Sequence, residues 1–390
     1  MAKGKGGFIG QDGLNAPDSP TGVSGSAGNE QVTVSFTAPS DVGGSAITGY
    51  RAQSNDGVGA SGSSSPITVT GLTNGTSYTF NVWAINAFGY SAPSDASGSV
   101  SPAATRALVI GGEDAGGSGR INEIQYTDMS TSGNFSDFGD LTHTVSELAA
   151  FASSTRAVSG GGSNPSVTNV ISYFAIASLG NASDFGDLTV AYNLLGGFSN
   201  STRGIFYGGK RFGTLYNTIQ YVTIASTGNA SDFGDGTTAR GASQGTASPT
   251  RGVIAGGQSN LQSIDYIEIG TTGNASDFGD LSQSANGRIG ACASTTRAVF
   301  MLASSTNIME YVTIASTGNS TDFGDLTGTN GQIAGTSDKT LGLFMDAFIS
   351  GAANDVAKIT IASTGNAADY GDLNTSVINH AATSSGHGGL

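Results

Sequence analysis

The tetrapeptide Asp-Phe-Gly-Asp begins at Asp137, Asp184, Asp232, Asp277 and Asp322, and a sixth copy reads Asp369-Tyr370-Gly371-Asp372. The copies lie 45 to 48 residues apart, so the chain from about residue 105 onward is one unit written six times. A Gly-Asn pair precedes each motif, at Asn134, Asn181, Asn229, Asn274, Asn319 and Asn366. Further upstream stands an Ile-x-Tyr strand, Met-x-Tyr in the fifth copy, marked by Tyr126, Tyr173, Tyr221, Tyr266 and Tyr311. Before it a strand opens with Thr-Arg, at Arg106, Arg156, Arg203, Arg251 and Arg297. The sixth copy departs from this and reads Thr340-Leu341, with Lys339 beside it.

A repeat of this length that holds four short strands is the mark of a propeller blade, because one small twisted sheet cannot bury both faces without neighbours. The first copy begins at Thr105-Arg106 and lacks the strand that elsewhere precedes Thr-Arg, such as Leu148 to Ser153. The stretch from Val377 to Ser385 matches it in position. Closing a ring with that strand removes the exposed edges an open array would leave. The expectation for residues 104–390 is therefore a six-bladed β-propeller closed by the C-terminal strand. Gly-Gly pairs at Gly111, Gly161, Gly208 and Gly256, followed by a strand tyrosine, look like Kelch repeats. These copies depart from Kelch in having no tryptophan, and Phe138 and its equivalents are the expected substitutes.

Residues 1–16 are glycine-rich, carry Phe8, Ile9 and Leu14 without periodicity, and read as an arm. From Pro17 to residue 103 alternating strands separated by turn clusters follow, including Gln31–Phe36, Ile47–Ala52, Ile67–Leu72 and Tyr78–Asn86. The pattern of Leu72, Tyr78, Val82 and Ala84, then Asn86-Ala87-Phe88-Gly89-Tyr90-Ser91-Ala92-Pro93-Ser94, resembles a fibronectin type III domain. That resemblance implies a β-sandwich in which Tyr78 is the corner tyrosine bonded to nearby backbone. Phe36 stands where the family has an early tryptophan. Trp83 falls on the strand face opposite Tyr78, either as a half-buried aromatic or as a contact residue. The fold class expected is all-β, a sandwich followed by a propeller.

A net charge of −14 with only 15 basic residues argues against binding nucleic-acid phosphates. No stretch reaches the roughly 18 apolar residues of a membrane helix, so no membrane insertion is expected, and the first residues lack the apolar core of a signal peptide. The single cysteine, Cys292, makes no internal disulfide and reads as a small buried strand residue.

Asp-Phe-Gly-Asp is also the metal-binding motif of protein kinases, but none of the other kinase elements is present, and six tandem copies do not suit one active site. In Asn-Ala-Ser-Asp-Phe-Gly-Asp, closely spaced oxygens in a turn make calcium the one cofactor class to weigh. The plainer reading is structural: Asn and Asp bond the turn, Phe packs between blades and Gly admits a tight backbone. On this reading Asp137, Asp184, Asp232, Asp277, Asp322 and Asp369 pair with the repeated arginines, relieving repulsion among motifs that hold 12 of the 29 acidic residues. A galactose-oxidase-like enzyme needs histidine ligands and a Tyr–Cys pair. The chain has only His143, His380 and His387, so no catalytic residue and no metal ligand is assigned. The wording Val-Thr-Ile-Ala-Ser-Thr-Gly-Asn-Ala-Ser-Asp-Phe-Gly-Asp-Leu resembles propeller repeats in virion proteins of tailed phages, marine ones above all. That resemblance implies a non-enzymatic protein of the tail or capsid surface, assembled in the host cytoplasm and multimeric on the particle. Its partners would be other virion proteins and a host-surface glycan or protein. A glycan-binding adhesin is the alternative.

Overall fold

The computed structural model describes residues 15–115, 119–285, 287–302, 306–330, 333–345 and 354–390, and every regular element among them is a β-strand. The chain divides into two compact units, Met1–Ala104 and Thr105–Leu390. Of the expected arm, Phe8, Ile9 and Leu14 lie outside the described residues.

In the first unit, β1 (Thr21–Gly28), β2 (Gln31–Thr37) and β5 (Ile67–Thr70) form one sheet in the order β1-β2-β5. The other holds β4 (Gly59–Gly62), β3 (Gly49–Ser54), β6 (Phe80–Asn86) and β7 (Gly89–Tyr90), in that order. Strict alternation aims Val32, Val34 and Phe36 from one sheet at Tyr50, Ala52, Phe80, Val82 and Ala84 of the other, making a single sandwich core. The Tyr78 hydroxyl accepts a hydrogen bond from the Thr73 amide at 3.0 Å, the corner expected from the sequence. Phe36 is buried against Tyr50, with ring centroids 4.8 Å apart. Trp83 is half-buried opposite Arg51. The serines of the closing motif have a definite task. Ser91, Ser94 and Ser97 hydroxyls accept from the amides of Ala84, Val82 and Phe80, satisfying an edge that β7 is too short to cover.

Among the described residues the second unit contains six antiparallel sheets of four or five strands in succession, and two two-stranded ribbons, Ser163–Asn164 with Ser166–Val167 and Lys210–Arg211 with Thr214–Leu215. Sheet II, with strands Ala149–Ala152, Arg156–Gly160, Val170–Ala175 and Ser183–Asp187, is typical. Sheets III to VI begin with Gly196–Ser199, Gln244–Ala247, Gly290–Ala293 and Ala334–Ser337. Sheet I is assembled from both ends of the unit: Arg106–Asp114, Gly119–Asp128 and Ser136–Asp140 receive their first strand from Ala381–Ser384. The register runs from Ala381 opposite Ile110 to Ser384 opposite Ala107, so the C-terminal segment supplies the strand that the first copy lacks. Among the described residues no sheet closes on itself through hydrogen bonds.

The first strands of neighbouring sheets touch in order from II through VI, and the Ala381–Ser384 strand touches those of both VI and II. Glycine, alanine and serine make that approach feasible. A Cβ on Gly204 would stand 1.8 Å from the Phe151 ring, so an aromatic from one sheet occupies the space that the next leaves empty. Six separate apolar clusters fill the gaps between successive sheets, including one that joins Leu343, Met345 and Tyr370 of sheet VI to Ala107 and Val109 of sheet I.

Candidate functional site

The repeated motifs converge on the contacts between sheets. In each Asp-Phe-Gly-Asp strand the phenylalanine is buried and meets the tyrosine of its own sheet edge-on, with centroids about 6 Å apart, as for Phe278 and Tyr266 at 6.0 Å. The glycine and the second aspartate form a backbone seam with the next sheet. The Asp140 amide donates to Asn181 Oδ1 at 3.0 Å, while the Gly180 and Ala182 amides donate to Phe138 and Asp140 carbonyls. The Asn-to-Asp bond recurs from Asn229 to Asp187, Asn274 to Asp235, Asn319 to Asp280 and Asn366 to Asp325. It recurs once more between Asn134 of sheet I and Asp372 of sheet VI, at 3.0 Å. Gly139 has φ +145° and passes so near Gly180 that a Cβ would stand 2.5 Å from its carbonyl oxygen, which is why this position is glycine. Each of these asparagine side-chain oxygens thus accepts from a backbone amide of a neighbouring sheet.

The expected pairing of repeated arginine with repeated aspartate is not what the structure contains. Asp137, Asp184, Asp232, Asp277, Asp322 and Asp369 are exposed on the outermost strands. Each arginine instead lies across the tyrosine of its own sheet and donates to a carbonyl of the next. Arg106, Arg156, Arg203, Arg251 and Arg297 stand 5.0, 4.6, 4.4, 4.5 and 4.3 Å from their ring centroids. Their Nη1 atoms donate to the carbonyls of Ile176, Ile224, Ile269, Ile314 and Ile361. Among the described residues, Arg251 alone of these five has a carboxylate partner, the cross-strand Glu268 at 2.7 Å. The physical reason is position: the arginine opens the second strand beside the tyrosine of the third, whereas the first aspartate faces solvent on the fourth. In the sixth copy the parts are exchanged. Lys358 takes the tyrosine position and reaches Ser132 at 3.1 Å, and the Tyr370 hydroxyl lies 2.9 and 2.8 Å from the Asp128 and Thr131 carbonyls of sheet I.

A second fastening escaped the sequence reading although its signal is present. The middle residue of the strand motif is polar in the first five copies: Gln125, Ser172, Gln220, Asp265 and Glu310, all buried. Each is hydrogen-bonded to the last strand of the preceding sheet or the loop leaving it, as Ser172 Oγ is to Thr142 Oγ1 at 3.0 Å and Glu310 Oε2 to the Ser282 amide at 3.0 Å. Gln220 Oε1 accepts from the Thr189 amide and hydroxyl, both at 2.7 Å, and Gln125 Oε1 accepts from the Asn374 amide at 2.8 Å. Asp265 accepts from Thr237 and from the Tyr207 hydroxyl, whose pKa is raised by burial, and pairs at 2.9 Å with the fully buried Arg240.

Where the first strands meet they line a cavity of about 30 Å³ with Ser199, Gln244, Thr246, Cys292, Thr336 and Thr383 among its walls. Cys292 is buried, and burial pushes its thiol pKa up, so it is no nucleophile. The segment after Ser384 lies across one end. His387 Nε2 is 2.8 Å from the Ala152 carbonyl and 3.2 Å from Ser199 Oγ, and Gly388 and Gly389 are buried against the ends of the first strands. Burial brings the His387 pKa down to about 4, so the ring is neutral. Among the described residues no group of three or more His, Cys, Asp or Glu side chains is placed to hold a metal ion.

The fibronectin type III domain family matches residues 18–99. The N-terminal domain is a fibronectin type III domain. A crystal structure of domains A168–A170 of titin is 32% identical over 23% of this chain and 33% of that one, with a TM-score of 0.22. This chain therefore spans about a third of the titin fragment's length. No curated protein matches the chain.

Proposed function

We propose that the second unit is a Kelch-like six-bladed β-propeller closed by its C-terminal strand, and that the chain is a non-enzymatic structural protein of a phage virion, at the tail or capsid surface. The observation that carries this reading is where the repeated residues go. Asn, the Asp-Phe-Gly-Asp backbone, Arg and the buried polar residue of the strand motif all serve sheet-to-sheet fastening, including the junction of VI with I. Such a unit is a rigid display platform, with the arm of residues 1–16 and the fibronectin type III domain docking it to other virion proteins. Mass spectrometry of purified particles tests the proposal: the chain is expected at a fixed stoichiometry to the major structural proteins. Its absence from particles while abundant in the lysate overturns it.

One observation favours a second reading, a glycan-binding adhesin. Phe212 is 84% exposed with φ +49° at the tip of a hairpin (Lys210–Arg211 with Thr214–Leu215), and the Arg211 guanidinium lies 4.9 Å from its ring. A bulky residue held exposed in the left-handed region is better explained by contact than by stability. Glycan-array binding that Phe212→Ser abolishes would establish it.

A further inference from the structure

The fibronectin type III domain turns one face of its larger sheet away from the core. In β4-β3-β6-β7, alternation puts Arg51, Gln53, Asn81, Trp83 and Ile85 on that outer side. Tyr90 of β7 lies directly across from Ile85, shares its face and is 57% exposed. Of the five large apolar side chains exposed among the described residues, Val42, Phe88 and Tyr90 belong to this domain. Phe88 stands in the turn from β6 to β7, and Val42 is tied to the same end, its carbonyl accepting from Asn86 Nδ2 at 2.8 Å. On its other flank Ile85 faces Gly49, which has no side chain to shield it.

The charge on this face is as particular as its rings. Residues 15–104 hold five acidic residues, Asp18, Glu30, Asp41, Asp56 and Asp95, and one basic residue, Arg51. Arg51 is directly across from Trp83, and no carboxylate of a described residue comes within ion-pair distance of it. The five repeated arginines of the second unit each have a carbonyl and a ring, whereas the Arg51 guanidinium has neither among the described residues. The sandwich core is complete without Arg51 or Trp83. An unpaired guanidinium beside a tryptophan and a tyrosine is the composition found at the energetic centre of protein interfaces.

We propose that this outer face, centred on Arg51, Trp83 and Tyr90, docks the domain onto a partner protein that presents a carboxylate flanked by apolar side chains. This docking role rests on the reading of the chain as a virion protein held to others through its fibronectin type III domain, and it adds the face and the chemistry. Charge selects the partner: elsewhere the acidic domain repels a carboxylate, and here the one cation meets it. The rings of Trp83 and Tyr90 cover the neighbouring apolar side chains, and their N–H and O–H remain to donate. A neutral glycan would satisfy the rings but leave Arg51 without a counter-charge.

The test uses the full chain in purified particles. Photoreactive p-benzoylphenylalanine is placed at Tyr90, and as a control at Ser35, which is exposed on the opposite sheet. After irradiation, the label at Tyr90 is expected to join another particle protein within a few residues of an Asp or Glu. Arg51→Glu should lower the amount of chain in particles about tenfold or more, while the domain keeps its melting midpoint. Changing the cross-linked partner's carboxylate to lysine should restore that variant. Tyr90→Ser, at an exposed edge position that the fold does not need, should lower incorporation as well. Wild-type incorporation of Arg51→Glu overturns the proposal, as do cross-links from Ser35 alone, to residues 1–14 of the same chain, or to a glycan. Absence of even the wild-type chain from particles overturns the virion reading along with it.

Discussion

Replacing Arg203 with leucine separates the fastening described above from the ion-pair belt that the sequence suggests. The guanidinium donates to the Ile269 carbonyl at 2.8 Å and stacks 4.4 Å from the Tyr221 centroid. Ile269 is fully buried, so its carbonyl would be left without that donor, at a cost of about 1–3 kcal/mol. Losing the half-exposed cation–ring contact adds about 0.5–1 kcal/mol, and the leucine returns part of this by covering the ring. The net loss is about 2 kcal/mol, which in a unit of this size lowers the midpoint by about 4–8 °C. Urea unfolding followed by circular dichroism reads the second unit. The single tryptophan, Trp83, lies in the fibronectin type III domain, so its fluorescence midpoint is a built-in control that should not move. Since the partners are a carbonyl and a ring, the loss should stay the same as sodium chloride rises from about 0.05 to 0.5 M, whereas a pair with Asp232 at the surface would be screened. A loss below about 0.5 kcal/mol, or one that fades with salt, refutes the assignment.

Asp265→Ala strands the buried Arg240 and should cost about 3–5 kcal/mol by urea titration, well beyond the loss at Arg203. Deleting residues 375–390 removes the strand that pairs with Ala107–Ile110 and the loop that caps Gln125, and light scattering should report aggregation; a monomer melting like the parent would contradict the role given to that strand. His380 titrates in the folded state near pH 3 against an ordinary value of 6.5, so between these values the unfolded chain binds a proton that the folded one refuses. Stability should therefore fall as pH drops below about 6.5, by about 1.4 kcal/mol per pH unit from this group, with a smaller share from the partly exposed His387. In His380→Leu the same titration should be shallower, and an unchanged slope would show that the ring is solvated.

Much of the architecture was written locally. The 45-to-48-residue period, the Thr-Arg and Asp-Phe-Gly-Asp signatures and the absent first strand determined six like units and pointed to Val377–Ser385 as the missing piece, because strand periodicity and turn glycines are properties of neighbouring residues. Alternation around Tyr78 likewise determined the sandwich, down to the hydroxyl that caps the Thr73 amide. What the repeats do for one another was decided only in three dimensions. The partners of Arg106, Arg156, Arg203, Arg251 and Arg297 are carbonyls 63 to 70 residues away, and a backbone oxygen leaves no mark on the sequence, so charge alone suggested aspartate instead. The polar residue before each strand tyrosine was visible, yet its burial was not, since exposure depends on the loop that the preceding sheet lays over it. The burial of Arg288 and His380 is of the same kind: a charged residue and one inside the expected closing strand carry no mark of enclosure in the sequence, and only the meeting of the first strands takes both out of water.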